Sequence, residues 1–167
     1  MGQWSLKERL QPSLLDRLTD SEPEKRKESG SQQSMSQKQF KEAVIRDLGW
    51  LLNSVALDVY IDLEKYPEVR RSVLNYGLPN MSGHTSSNVN IGALESSIRT
   101  TIQQFEPRII RNSLKVRIHS NADEMSHNAL VFEIAGAVFG QPSPFHVVLK
   151  SELDLECGEV QLKESMD

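Results

Sequence analysis

The chain has 167 residues, of which 38% are hydrophobic, and its mass of 18.9 kDa is that of one ordinary domain with extensions. Its 19 basic and 23 acidic residues give a net charge of −4, so it lacks the basic field of a nucleic-acid-binding domain. No apolar run approaches the roughly 18 residues that a membrane span needs, which excludes direct membrane insertion. The single cysteine, Cys157, cannot form an intramolecular disulfide, so a reducing, cytoplasmic setting is the simplest interpretation.

Residues 1–37 are predicted to form an N-terminal extension to a folded domain that covers residues 38–167. The stretch 19–39 contains Met35 as its only large apolar side chain, and its acidic and basic residues cancel. Such a segment cannot bury enough apolar surface to offset the entropy that ordering it would cost. We therefore predict a flexible linker ahead of the folded domain.

A short apolar island precedes this linker, at residues 12–18. Leu14, Leu15 and Leu18 share one face of the helix that their spacing predicts, and Ser13 can cap it. A helix of this length is marginal in water unless it packs against something. Two alternatives follow: the island folds back on its own domain, or it is a tethered docking peptide for the groove of a partner.

Helical periodicity returns at the start of the folded domain. Apolar residues from Phe40 to Leu52 recur every three or four positions and predict a helix from about 38 to 54. Pro67 suits the first turn of a short second helix. A long polar loop rich in turn residues is predicted at 75–90.

The strongest helical pattern spans 91–105, with Asn90 as its predicted N-cap. It stops before Pro107, because the residue before a proline is pushed out of the helical region. Beyond Pro107 the apolar period becomes alternating and predicts three strands and a weak fourth segment, at 114–119, 130–138, 147–155 and 159–162. One-sided alternation predicts an α+β fold, with helices packed on one face of a small antiparallel sheet.

The residue types that most often carry catalysis or bind metals show no strong pattern. The four histidines lack metal-ligand spacing and there is one cysteine, so neither a metal nor a cofactor is predicted. Carboxylates leave one catalytic alternative, because glycoside hydrolysis needs two of them about 5–9.5 Å apart. Glu106 is its candidate acid, with Glu95, Asp58 or Asp62 as the second carboxylate.

The tripeptide Glu106-Pro107-Arg108 is the sharper local feature. Pro107 biases Glu106 toward an extended backbone, and in an extended tripeptide the side chains of Glu106 and Arg108 project to the same side. The rigid fork of Arg108 suits carboxylates and backbone carbonyls. From the spacing alone, the simpler interpretation is a helix stop with an exposed ion pair that contributes about 0–1 kcal/mol.

Four stretches are specific in combination because they occur in this order with sensible spacing: PSLLDRL at 12–18, RDLGWLLN at 46–53, SVLNYGLP at 72–79 and FEPRI at 105–109. Together they resemble the TssE family, the baseplate subunits of type VI secretion systems. That family is similar to a lysozyme-like wedge protein of contractile-tail phage baseplates. The resemblance covers the folded body and the N-terminal island.

The resemblance implies a structural protein and no enzyme. Such proteins connect the baseplate wedge to the first ring of the contractile sheath, so the implied partners are the wedge subunits TssF, TssG and TssK and the sheath subunits TssB and TssC. Glu106, Pro107 and Arg108 match the family's Glu-Pro-Arg motif, which is implicated in gripping the helical core bundle of the wedge. The alternative is a peptidoglycan hydrolase with Glu106 as general acid.

The predicted sheet also resembles the interlocking domain of sheath subunits, where strands from neighbours add to an edge. An edge strand with unpaired backbone groups suits this role, and the strand at 147–155 is our candidate for that edge. The leucines at 14, 15 and 18, on their tether, would supply a second contact with a partner and raise its effective concentration.

Overall fold

The computed structural model describes residues 13–19, 24, 35–79, 90–119, 129–140 and 143–164. Most of the predicted flexible linker and most of the predicted polar loop lie outside these residues. None of the helices in the described ranges is both long and apolar enough to cross a membrane.

The short helix α1 spans Leu14–Leu18, and the longest helix, α2, spans Gln37–Leu52, close to its predicted bounds. Ser36 and Gln39 form a capping box at the start of α2. The Ser36 hydroxyl accepts from the Gln39 N–H at 3.2 Å, and Gln39 Oε1 accepts from the Ser36 N–H at 3.0 Å. The buried residues of α2 recur along one face: Phe40, Ala43, Val44, Leu48, Leu51 and Leu52.

The predicted second helix is present but broken at Ser72. Helix α3 spans Pro67–Arg71, and a 3-10 turn follows at Val73–Asn75. Ser72 separates them because its backbone is extended, and its hydroxyl accepts from the Leu74 N–H at 3.2 Å to cap the turn. Two further 3-10 turns lie at Leu57–Val59 and Arg111–Ser113.

The second long helix, α4, spans Ile91–Phe105. Its predicted cap is confirmed, because Asn90 Oδ1 accepts from the Ala93 N–H at 3.0 Å. Leu94, Ile98 and Ile102 are its buried residues. The helix ends before Pro107, as the proline predicts.

Four antiparallel strands form one sheet in the order β1-β2-β3-β4. They span Lys115–His119, Ala129–Val138, Phe145–Asp154 and Val160–Glu164. The prediction that the strand at 147–155 is an edge is wrong, because β3 pairs with β2 on one side and with β4 on the other. Gly158 makes this possible: its φ of 76° permits a tight turn, in which its N–H donates to Asp154 O at 2.7 Å and β4 returns along β3.

The hydrophobic core lies between the helices and one face of the sheet. Both layers contribute its largest fully buried side chains, which include Leu48, Leu51, Ile98, Ile102, Leu130, Phe132, Leu149 and Leu155. Each such side chain contributes about 1.5–3 kcal/mol relative to an exposed one. The predicted α+β fold is confirmed.

Candidate functional site

The Glu106-Pro107-Arg108 tripeptide forms the turn that follows α4. Glu106 is the C-cap of the helix, and its carbonyl accepts from the Ile109 N–H at 3.2 Å. This bond closes a β-turn with Pro107 at the second position, where proline is favoured. The tripeptide is therefore a turn and not an extended segment, yet the side chains of Glu106 and Arg108 still meet.

Arg108 binds both carboxylate oxygens of Glu106. Its Nε donates to Oε1 at 2.6 Å and its Nη2 donates to Oε2 at 2.5 Å. The Glu106 side chain is only 4% exposed and that of Arg108 is 19% exposed, so the interpretation as an exposed ion pair is wrong. The pair is buried because the turn docks on β2, where the Phe139 N–H donates to Arg108 O at 2.7 Å and Ile109 bridges to Val138.

A second carboxylate, Asp47 of α2, binds the same guanidinium. Arg108 Nη2 donates to Asp47 Oδ2 at 2.6 Å, although the two residues are 61 positions apart in the chain. Burial by itself lowers the pKa of Arg108, but the hydrogen bonds to Glu106 and Asp47 and their charges outweigh it and raise that pKa. Arg108 therefore stays charged and ties the end of α4 to the middle of α2.

Arg46 extends this network from Asp47 to α1. Its Nε and Nη2 donate to Asp47 Oδ1 at 2.9 and 2.8 Å, and its Nη1 donates to Asp16 Oδ1 at 2.6 Å. Its guanidinium also lies 5.0 Å from the centroid of the Trp50 ring, in a cation–π contact. The hydrogen bond from Arg46 lowers the pKa of the Asp16 carboxyl below its ordinary value, so the ion pair persists near neutral pH.

Tyr76 brings the third stretch of the chain to the same place. Its hydroxyl donates to Asp47 O at 3.4 Å, and its ring meets the Phe105 ring edge-on with centroids 5.3 Å apart. Burial, reinforced by the charge of Asp47, raises the pKa of that hydroxyl. Thus Asp16, Asp47, Tyr76 and Arg108, one from each of the four stretches that carry the resemblance, belong to one connected set of contacts.

One donor of Arg108 remains unused. Its Nη1 atom is buried and donates to no acceptor among the described residues. The guanidinium lies 5.8 Å from the centroid of the Phe40 ring, which packs beneath it. Leaving a buried donor unsatisfied costs about 1–3 kcal/mol.

The model of one protein family, described as baseplate wedge protein gp25, matches residues 38–143, which is well over half of the chain. The chain belongs to this family. No curated protein and no solved structure matches it significantly. Membership confirms the resemblance to TssE-like wedge proteins and gives the chain a structural role in a phage-tail-like baseplate.

The gp25 match includes Asp47, Tyr76 and the Glu106–Arg108 turn, and it leaves α1 outside. The three leucines of α1 face solvent: Leu14 is 71% exposed, Leu15 45% and Leu18 74%. Helix α1 contacts its own domain through Asp16, while Leu14 and Leu18 stay mostly exposed and Leu15 stays about half exposed. The contact between Asp16 and Arg46 agrees with an island that folds back on its own domain, while docking of its leucines on a partner stays a prediction.

The other carboxylates considered for hydrolysis bind backbone or amide groups elsewhere in the gp25-family domain. Glu95 accepts from the Ile118 N–H at 2.8 Å, Asp58 accepts from the Asn75 side chain at 3.4 Å, and Asp62 accepts from the Glu64 N–H at 2.9 Å. The carboxylate that shares a partner with Glu106 is Asp47. Among the residues that the structure describes, no group of three or more His, Cys, Asp or Glu side chains could hold a metal ion.

Sequence reasoning missed Asp47 as part of the site. Asp47 lies seven residues after Phe40 and three after Val44, so it falls within the apolar stripe of α2. A carboxylate at such a position must find a cation or a set of donors when the stripe is buried. This break in the apolar pattern is the signal that could have identified it.

Proposed function

We propose that this protein is the wedge subunit of a type VI secretion baseplate, which joins the core bundle of the wedge to the contractile sheath and templates sheath assembly. In this proposal its partners are the wedge subunits TssF, TssG and TssK and the sheath subunits TssB and TssC. It acts in the cytoplasm, without a cofactor, and breaks no bond. The gp25 family match supports the baseplate role.

The held guanidinium of Arg108 is the observation that carries the proposal. Glu106 and Asp47 fix its Nε and Nη2 atoms, so the side chain is oriented before any partner arrives. An oriented group loses little conformational entropy on binding, which favours a tight contact. The Arg108 side chain is 19% exposed, and a guanidinium fork suits a carboxylate or a backbone carbonyl at the end of a partner helix.

The environment of Glu106 supports a structural role over hydrolysis. A general acid must carry a proton and reach its substrate. Both oxygens of Glu106 instead accept hydrogen bonds from Arg108, and the side chain is 4% exposed. A carboxylate in this position is suited to orienting an arginine.

The sheet and α1 supply the other proposed contacts. An antiparallel sheet with open edges can accept a strand from a sheath subunit. The exposed Leu14, Leu15 and Leu18 would form a second apolar contact with a baseplate partner. Because the segment is tethered, this contact would raise the effective concentration of the partner without a large interface.

The decisive experiment compares Arg108→Lys with Arg46→Lys. Both variants keep the positive charge and lose the planar fork, but only Arg108 belongs to the turn that is proposed to grip the wedge. We expect Arg108→Lys to weaken pull-down of the TssF–TssG complex by about tenfold or more, which is about 1.4 kcal/mol, and Arg46→Lys to change it little. Equal binding by the native chain and Arg108→Lys would contradict the proposed grip.

Glu106→Gln separates the proposal from the peptidoglycan hydrolase alternative. The native chain and this variant would be assayed for cell-wall hydrolysis and for wedge assembly. We expect no hydrolysis by either form. Hydrolysis by the native chain that is lost in Glu106→Gln, with assembly intact, would overturn the proposal.

A further inference from the structure

The face of the sheet that points away from the core has an uneven charge distribution. The strand register places four charged side chains next to one another in a single row across the sheet: Arg117 on β1, Glu133 on β2, Lys150 on β3 and Lys163 on β4. Their neighbours along each strand are buried in the core, so the four side chains point to the opposite, outer face.

The three cations of this row are exposed and unpaired. None of them makes a salt bridge with another residue of the described ranges, although Glu133 lies between Arg117 and Lys150. One carboxylate can neutralise only one of three cations. The row therefore keeps an excess of positive charge in a chain whose net charge is −4.

Two of the cations lie directly opposite each other, because Lys150 pairs in register with Lys163. Side chains at such positions have Cβ atoms about 4.5–5.5 Å apart, and like charges placed there destabilise a sheet. Glu133 lies on the far side of Lys150, one strand away from Lys163. A carboxylate from outside the chain, placed above the two lysines, would remove their repulsion.

The next row of the outer face adds a fourth cation and an apolar strip. It consists of Lys115, Ala135 and Val148, in that order across β1, β2 and β3. Lys115 is exposed, whereas Ala135 and Val148 are half-buried. Small apolar side chains beside a charged row suit a partner that is itself amphipathic, with apolar side chains next to acidic ones.

Glu133 favours a protein over a nucleic acid as this partner. A phosphate backbone carries a negative charge at every nucleotide, so it would also place negative charge above Glu133. A helix can instead carry a carboxylate above each cation and a lysine above Glu133. Like charges brought together across an interface oppose binding, so the single acidic residue in the row selects against a uniformly anionic partner.

The spacing of the row matches one face of a helix. Neighbouring strands are about 4.8 Å apart, so Lys150 lies about 10 Å from Arg117 along the row, and Lys163 lies about 5 Å farther. A helix rises about 1.5 Å per residue, so acidic residues about seven and about ten or eleven positions after a first one match these distances. Residues at these positions share one helix face, and the residue about three or four positions after the first lies above Glu133.

We propose that the outer face of the sheet is a docking surface for an acidic amphipathic helix of a partner protein, which lies across the strands. Its carboxylates pair with Arg117, Lys150 and Lys163, and its apolar side chains pack on Ala135 and Val148. We call these residues, together with Lys115, the basic sheet face. This surface is separate from the Arg108 turn, and its role does not depend on the proposed secretion-system function.

Two synthetic helical peptides test the proposal by NMR titration of the isotope-labelled full chain. The first peptide has glutamates at the spacing of the three cations and a lysine at the position above Glu133. The second exchanges that lysine with the middle glutamate, so composition and net charge stay the same. We expect the first peptide to shift the signals of Arg117, Lys150 and Lys163 and to bind about tenfold or more tightly than the second.

Three outcomes of this titration would overturn the proposal. They are no binding of the first peptide, equal binding of the two peptides, and signal shifts confined to residues outside the basic sheet face. A DNA duplex and a phosphatidylglycerol vesicle serve as further probes. Tighter binding of either one than of the first peptide would also overturn the proposal, because the occupant would then be a different class of anion.

Lys163→Glu separates docking from a purely structural role. The substitution replaces two opposed lysines with a pair of opposite charges, so the free chain should keep or raise its melting temperature. Binding of the first peptide should nevertheless fall by about tenfold or more, because a carboxylate would then face a carboxylate. Binding of the first peptide at the native level by Lys163→Glu would contradict the proposal.

Arg99→Glu is the matched control. Arg99 is exposed on α4 and lies outside the sheet, and its substitution changes the net charge by the same amount. We expect it to change binding of the first peptide by less than about twofold, because exposed charges farther apart than about 10 Å are largely screened at ordinary salt concentrations. An equal loss of binding in both variants would show that net charge, and not the basic sheet face, attracts the peptide, and would overturn the proposal.

Discussion

Replacing Arg108 with alanine should be among the more damaging single substitutions in the described part of the chain. It would leave Glu106, which is 4% exposed, and Asp47, which is 20% exposed, without the cation that they share. Removing one partner of a buried ion pair costs about 3–5 kcal/mol, because a buried charge remains uncompensated. In a chain of this length each kcal/mol lowers the melting temperature by about 2–4 °C, so we expect a fall of about 6–20 °C.

Arg46→Ala is the matched control for this prediction. Arg46 also binds two carboxylates, but its side chain is 35% exposed. Without it, Asp47 keeps its bond to Arg108, and Asp16 can regain water because α1 is free to detach. We expect a cost of about 1 kcal/mol or less, as for other solvent-exposed pairs.

A triple variant separates stability from docking. Replacing the whole buried set with apolar residues of similar size, as Asp47→Leu, Glu106→Met and Arg108→Met, removes all of the uncompensated charge. Such replacements are often neutral or stabilising, so the triple variant should unfold at a higher urea concentration than Arg108→Ala and still fail to bind the wedge core. Thermal and urea unfolding followed by circular dichroism would give the stabilities. A cost below about 1 kcal/mol for Arg108→Ala, or wedge binding by the triple variant, would refute the reasoning.

Four further predictions concern other parts of the chain. Gly77→Ala should destabilise by at least about 2 kcal/mol in urea unfolding, because φ is 133° and an added Cβ would lie 2.4 Å from Ser54 O. Gly49→Ala should instead stabilise by about 0.5–1 kcal/mol, since its Cβ would meet one side-chain atom at 3.6 Å. Because the pKa of Asp16 is lowered in the folded protein, its contribution to stability is fully present above the ordinary aspartate pKa of about 3.9 and is lost as pH falls through the lower pKa of the folded state, which an NMR titration of the carboxyl would show. Deleting residues 1–34, which keeps the Ser36 cap of α2, should leave the melting temperature nearly unchanged and weaken recruitment to the baseplate; a large fall would show that α1 is needed for folding.

The elements that could be predicted are those specified by neighbouring residues. The apolar period of α2 and α4, the cap at Asn90 and the stop at Pro107 act within one or two helical turns. The alternation that predicts the strands is equally local. Strand order is not local: whether the strand at 147–155 is an edge depends on whether the next segment turns back, and this depends on the positive φ of Gly158.

The candidate site shows the same division between local and distant information. Pairing of Glu106 with Arg108 follows from their spacing around Pro107, but their burial requires the turn to dock on β2. The acceptor that completes the site, Asp47, is 61 positions from Arg108, and spacing cannot connect residues so far apart.

The sequence does contain one indication of the distant contact, which is a charged residue at a position where the helical pattern otherwise has apolar ones. An aspartate in the buried stripe of α2 is costly unless a cation meets it, so Asp47 requires an arginine or lysine somewhere in the folded body. Conversely, an arginine fixed by two carboxylates in a chain of net charge −4 serves poorly as a general electrostatic attractor and well as a rigid donor. The same three charges therefore explain why α4 is fastened to α2, and in the proposed function they also fix the orientation of the Arg108 guanidinium. Replacing all three charges together should therefore restore stability without restoring docking.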